Sequence, residues 1–140
     1  MHSVFVDTDV ILDLFLRREP HHKTALHFFS FLKKHAIQGF TSPDSVANTY
    51  YILARLKNRG YAIEKVRKLT QLIRIAAVDQ QIVDDAARAP YRDFEDSLQY
   101  HCALSNGIGF LITRNTSDYP KDRLRVLLPG EYMAVSQLGQ

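Results

Sequence analysis

The chain holds a single cysteine, Cys102, so no intramolecular disulfide framework is open to it. No apolar run approaches the length needed to cross a bilayer. The first residues enter a strand-like pattern at once, without the basic, apolar and small-residue sections of a signal peptide, so a cytoplasmic location is expected. Low-complexity tracts, internal repeats and linker-like stretches are missing as well, which leaves a single domain over residues 1–140. The histidines (His2, His21, His22, His27, His35 and His101) show no metal-ligand spacing tied to the acidic motifs. Cys102 stands beside Ala103 and Leu104 and reads as core, since a nucleophilic thiol needs a placed base.

What is present is ordinary for a globular domain: 140 residues, 46% hydrophobic and 24% charged. The net charge of +3 is mildly basic and by itself does not establish nucleic-acid binding. Apolar β-like runs at residues 3–7, 39–42, 74–78, 109–113 and 125–128 alternate with segments of helical period. Ser42-Pro43 is a cap and first-turn pair, Gly60 suits a helix end, Asp79 caps the next helix, and Pro90 breaks it. Asn106-Gly107 stops the helix that begins near Phe94, and the tail after Ala134 is expected to fray. Strands alternating with helices predict an α/β fold, a three-layer α/β/α sandwich around a mostly parallel sheet.

Acidic residues follow these elements. Asp7 ends the first strand, Asp93 and Asp96 open a late helix, and Asp118 lies just beyond the strand ending at Thr113. Carboxylates at the carboxyl ends of parallel strands meet in one crevice, where open α/β sheets bind ligands. Carboxylates gathered there repel one another unless a hard divalent cation offsets them, and Mg²⁺ or Mn²⁺ takes oxygen ligands. Metal-assisted phosphate chemistry is the expectation.

Three stretches in order, Val6-Asp7-Thr8-Asp9-Val10-Ile11-Leu12-Asp13, Asp93-Phe94-Glu95-Asp96-Ser97-Leu98-Gln99 and Ile112-Thr113-Arg114-Asn115 with Asp118-Tyr119-Pro120, resemble the PIN domain nucleases, in particular the VapC-type toxin ribonucleases. The resemblance implies metal-dependent hydrolysis of RNA, the toxin role of a toxin–antitoxin pair, an antitoxin protein as partner, and a homodimer. It makes Asp7, Asp96 and Asp118 the ligands of Mg²⁺ or Mn²⁺, with Asp93, Asn48 and Asn115 as further site residues. Where many members carry a glutamate in the helix after the second strand, this chain has Asn48, which takes one negative charge from the site or serves only as a packing amide.

Several residues keep two readings. Asp7 also suits a helix N-cap, and Asp9 is favoured as the cap at Val10. Asp93 is either an accessory acid or a first-turn charge on the helix dipole, and Asp118 either a site acid or an Asx-turn. Asp13 reads as solvated or structural, and Glu95 as surface. Thr113 suits a hydrogen bond to a carboxylate or water and, with Arg114 and Arg18, contact with the substrate. Arg17 and a basic group of Arg55, Lys57 and Arg59 could add attraction for a polyanion. Tyr50 and Tyr51 suit core or dimer packing better than base stacking, and helices at residues 26–32 and 50–56 could form a dimer contact.

Two other functions compete. A non-catalytic PIN-fold binding module is favoured by Asn48 and opposed by the retained, mutually repelling Asp7, Asp96 and Asp118. Asp7-Thr8-Asp9 also resembles the DxD of haloacid-dehalogenase-class phosphatases, with Asp7 as nucleophile and Asp9 as acid. The chain lacks that class's Gly-Thr continuation and a catalytic lysine after a strand.

Overall fold

The computed structural model describes residues 3–89 and 93–138, without the side chain of residue 138. The order is β1 (Ser3–Val6), α1 (Thr8–Leu16), α2 (His22–Lys34), β2 (Gln38–Thr41), α3 (Pro43–Leu56), α4 (Arg59–Leu72), β3 (Arg74–Ile75), α5 (Gln80–Arg88), α6 (Phe94–Ser105), β4 (Phe110–Ile112), β5 (Arg125–Leu127) and α7 (Pro129–Leu138). A short 3-10 turn, Thr116–Asp118, lies between β4 and β5.

The five strands form one sheet in the order β3-β2-β1-β4-β5, and every pairing is parallel. Parallel neighbours need long crossovers, which the helices supply. Side chains alternate across β1, so Val4 and Val6 face a core built with α1, α2, α3, α4 and α7. Phe5 faces the opposite core, built with α5 and α6. This is the expected three-layer α/β/α sandwich, buried on both faces of the sheet.

The sheet reverses its winding between β1 and β4: β1 leads outward to β2, and β4 lies on its other side. That switch point is where a crevice opens at the carboxyl ends of the strands. Asp7 and Thr113 flank it, and the Asp7 N–H donates to the Ile112 carbonyl at 2.9 Å.

Local signals set most boundaries. Asp79 caps α5 through the Ile82 N–H at 3.0 Å, and Asp93 caps α6 through the Asp96 N–H at 3.1 Å. Gly107, at φ +70°, ends α6 in a Schellman arrangement, with its N–H on the Leu104 carbonyl and the Ile108 N–H on the Ala103 carbonyl. Gly39 is needed in β2 for space, because a Cβ there would lie 2.7 Å from Ile73 Cγ2.

Some boundaries differ from the sequence reading. Gly60 does not end α3 but sits in the first turn of α4, because Asn58 accepts the Tyr61 N–H at 2.8 Å and starts the helix earlier. Strand β3 is only two residues long, and α7 continues past Ala134 to Leu138. Pro90 lies outside the described residues. Among the described residues no helix is long and apolar enough to cross a membrane.

Candidate active site

Asp7 sits at the N-cap position of α1 yet makes no side-chain cap bond. Its carboxylate turns into the switch-point crevice and is 6% exposed. Gln99 Nε2 donates to Oδ1 at 3.0 Å. Thr113 Oγ1 donates to Oδ2 at 2.7 Å, and the Tyr119 hydroxyl lies 3.0 Å from the same oxygen. Three uncharged donors, on α6 and in the loop after β4, therefore hold one buried carboxylate, and among the described residues no cation pairs with it. The Asp7 side chain thus does not serve as the cap of α1.

Asp96 faces Asp7 across the Tyr119 hydroxyl, which is 3.2 Å from Asp96 Oδ1. Tyr119 accepts from Gln99 Nε2 at 3.0 Å. A single phenolic proton thus serves two carboxylates. Burial, then the charges of Asp7, Asp93 and Asp118, push Asp96 up to about 7, against a smaller pull from Tyr119. Asp93, exposed at the helix start, acts as the cap and adds charge near Asp96. Asp118 is exposed at the rim, at the end of the 3-10 turn, and its charge reaches Asp96.

Asp9 is not the cap of α1. Its Oδ2 accepts from the Arg114 N–H at 3.1 Å and from Asn115 Nδ2 at 2.9 Å, with Thr113 Oγ1 at 3.2 Å. Burial and the Asp7 charge nevertheless raise it to about 7. Asp9 Oδ1 is shut off from solvent without a partner.

Asn48, half-buried on α3, donates its Nδ2 to Glu95 Oε1 at 3.0 Å. Glu95 is therefore not a surface residue. Burial, then Asp44 and Asp7, raise it to about 7, against the pull of Asn48. Helix spacing alone placed Glu95 away from Asp96 and on the surface; the approach of α3 through Asn48 half-buries it instead. Asp44 stands one turn before Asn48 on the same face of α3, with both carboxylate oxygens closed off from solvent beside the Ser42 hydroxyl and the N–H groups that open the helix. Burial, aided by Asp7, raises its pKa more than the polar groups opening α3 lower it.

Arg114, Arg18 and Thr113, expected to contact the substrate, are each bonded to an acidic side chain of the chain itself. Asp13, 1% exposed, takes Arg114 Nε at 2.5 Å, Arg114 Nη2 at 3.2 Å and Arg18 Nε at 3.0 Å. A buried carboxylate demands such partners, and both guanidinium groups turn inward to supply them. Asp13 is thus structural and not solvated. Thr113 is fully buried and spends its hydroxyl on Asp7.

Sequence reasoning missed Asp44, Gln99 and Tyr119. Gln99 lies three residues after Asp96 on one helical face, and Asp44 four before Asn48, so spacing could have found both. Tyr119 is placed by tertiary folding alone. Cys102 is fully buried and its thiol is pushed up to about 12 by burial, in keeping with a core residue.

The donor set suits a hard cation. All the acids present oxygen, several are raised by burial and then by one another's charge, and the buried Asp9 Oδ1 lacks a partner. Among the described residues, no three acidic, His or Cys side chains close on one point.

Comparison with known proteins agrees with this fold. A family model described as PIN domain matches residues 3–117. Ribonuclease VapC1 of Aquifex aeolicus is 27% identical over 135 residues, covering 93% of this chain and 92% of that protein. The crystal structure of Mycobacterium tuberculosis VapC20, a sarcin-ricin loop cleaving toxin, superposes with a TM-score of 0.66 at 20% identity, over 86% of this chain and 92% of that one. A toxin–antitoxin complex from Klebsiella pneumoniae gives a TM-score of 0.68 at 22% identity, over 91% and 98% of the two chains.

Proposed function

Because the chain belongs to the PIN domain family, we propose that it is a metal-dependent endoribonuclease, acting as the toxin of a toxin–antitoxin pair in the cytoplasm. The observation that carries this reading is the Asp7 carboxylate, buried at the sheet's switch point and held by Gln99, Thr113 and Tyr119 with Asp96 across from it. A scaffold gains nothing from burying carboxylates that raise one another's pKa. A nuclease gains a cation site.

Asp7, Asp96 and the exposed Asp118 would hold Mg²⁺ or Mn²⁺. When bound, the ion would lower the pKa of water and offset charge on the scissile phosphate. The chain's own residues fix the geometry. Gln99 and Thr113 lock the Asp7 carboxylate, and Tyr119 keeps Asp7 and Asp96 at a set separation. Asn115 and the Arg114 N–H orient Asp9 beside them. The phosphatase alternative loses support here, since Asp9 is engaged by three donors of the β4 loop. The similarity to a ribonuclease and to a toxin–antitoxin complex supports RNA as substrate and an antitoxin as partner. Exposed Leu26, Tyr51 and Leu56 on α2 and α3 support a protein contact there, including a homodimer.

The test is cleavage of single-stranded RNA by the purified, partner-free protein in Mg²⁺, Mn²⁺ or chelator. Cleavage should require the metal and should fall at least a hundredfold in Asp96→Asn. A folded protein that neither binds metal nor cuts any RNA refutes the reading.

A further inference from the structure

A cavity of about 330 Å³ lies beside the acidic crevice, between α1, the start of α2 and the start of α7. Arg114 is the wall the two share: its backbone N–H holds Asp9, and its side chain lines the cavity. The floor is apolar, made by Val10, Ala25 and Pro129, all buried. Polar groups stand around it. The His21 ring and the Thr24 hydroxyl make no hydrogen bond to the described residues. Arg114 spends Nε and Nη2 on Asp13, which fixes the guanidinium plane and leaves Nη1 unbonded among the described residues. A preformed apolar hollow on which a few polar groups converge is the usual form of a small-ligand site, and this volume lies near the lower end of that range. Gly130 also lines the cavity, and nothing in the fold asks for glycine there. Its φ is not positive, and a Cβ on it would meet no atom within 4 Å. Glycine makes a helix less stable than alanine does. What its missing side chain does provide is an unobstructed cavity wall on α7.

Asp9 shares the Thr113 hydroxyl with Asp7, so the cavity joins the site through Arg114, Asp9 and Thr113. A base next to the cleaved bond, rather than a distant one, is therefore in reach. An unpaired base has apolar faces and an edge of donors and acceptors, and arginine planes stack on such faces. We propose that this cavity receives one unpaired nucleobase of the RNA, beside the cleaved phosphodiester, with Arg114 against its face and His21 and Thr24 at its edge. The inference rests on the nuclease reading above and deepens it: the cavity is where the base beside the cut is chosen.

The probe is a pool of single-stranded RNA of random sequence, cut by the full-length protein in Mn²⁺ and sequenced at the new ends. The parent should show a base preference at a position beside the cut. Gly130→Leu fills the cavity from α7, and Thr24→Leu, at an exposed helical position, narrows it from α2. Each should lower kcat/KM on the pool about tenfold, the worth of one stacked base, and flatten the preference at that position. Circular dichroism checks that each variant is folded. Calorimetric titration should find Mn²⁺ bound within twofold of the parent's affinity, which separates loss of the base site from damage to the cation site. Folded variants that cut the pool at the same bases and within twofold of the parent's rate overturn the inference and leave the nuclease reading standing. A rate lost in step with Mn²⁺ affinity overturns it too, as does a parent that cuts with no base preference. A parent that cuts no member of the pool overturns the nuclease reading itself, and this inference with it.

Discussion

The crowded carboxylates should make the metal-free protein lose stability as pH rises. Asp9 and Asp96 move from 3.8 to about 7, and Glu95 from 4.5 to about 7, with burial the first cause in each. In the unfolded chain these groups ionise near pH 4, so between pH 4 and 7 the folded state holds protons that the unfolded state has released. Stability therefore falls through that window, and the whole penalty is present above pH 7. A fully desolvated shift of this size corresponds to about 4 kcal/mol. Glu95 and Asp96 are half open to water, so about 1 kcal/mol each is the reasonable figure. With Asp9, the sum is about 3 kcal/mol, or roughly 10 °C in melting temperature for a chain of this length. The assay is thermal melting in EDTA at pH 5.5 and pH 8.0, for the parent and for Asp96→Asn. Other titrations are common to both proteins and drop out of the difference. About half of the window lies below pH 5.5, so the parent should melt about 5 °C lower at pH 8.0 than at pH 5.5, and Asp96→Asn should lose less and melt above the parent there. Mg²⁺ at pH 8.0 should recover much of the parent's loss and little of the variant's. An Asp96→Asn protein less stable than the parent at pH 8.0 in EDTA refutes the electrostatic reasoning.

Other consequences are more local. Asp13→Asn leaves Arg18 and Arg114 facing an amide in a buried site, and should lower unfolding free energy by about 3 kcal/mol in urea titration. Gly39→Ala drives a methyl against Ile73 and Leu32 and should destabilise by about 2 kcal/mol in the same assay, whereas Gly107→Ala is strained by its positive φ and should lose about 1 kcal/mol. Gln99→Leu removes a donor from Asp7 along with a buried unpartnered carbonyl oxygen, so stability should change by less than about 1 kcal/mol while RNA cleavage falls about tenfold.

The architecture was legible because its signals are local. Alternation of Val-rich strands with helical periods, Asp79 and Asp93 as caps, and the Asn106-Gly107 stop are each written within a few residues. Asp7 and Asp96 were legible for the same reason: one ends a buried strand, the other opens an amphipathic helix. The start of α4 was misread because the cap, Asn58, precedes the apolar period that marks the helix. What failed consistently was pairing at long range. Asp13 lies 101 residues from Arg114, and Asn48 lies 47 from Glu95. Proximity to the acidic loop in sequence made Arg114 look like a phosphate ligand, when a buried carboxylate from the first helix had the stronger claim on it.

That pairing bears on how the site works. Were Arg114 free beside Asp9 and Asp7, its charge would pair with them and compete with a divalent ion for the crevice. Asp13 takes the guanidinium N–H groups of Arg114 and the Arg18 Nε, which leaves Arg114 a weaker pull on Asp9 than burial and Asp7 exert, and the neutral groups Gln99, Thr113, Tyr119 and Asn115 hold Asp7 and Asp9. Neutral donors fix a carboxylate's direction without cancelling its charge. The crevice thus keeps its negative potential while its side chains stay ordered, and the chain's cations are spent one helical turn further along α1. A cation-binding crevice in a chain of net charge +3 depends on that separation. It makes Asp13, which touches no substrate on this reading, a residue whose loss would weaken metal binding by releasing arginines toward the site as well as by destabilising the fold.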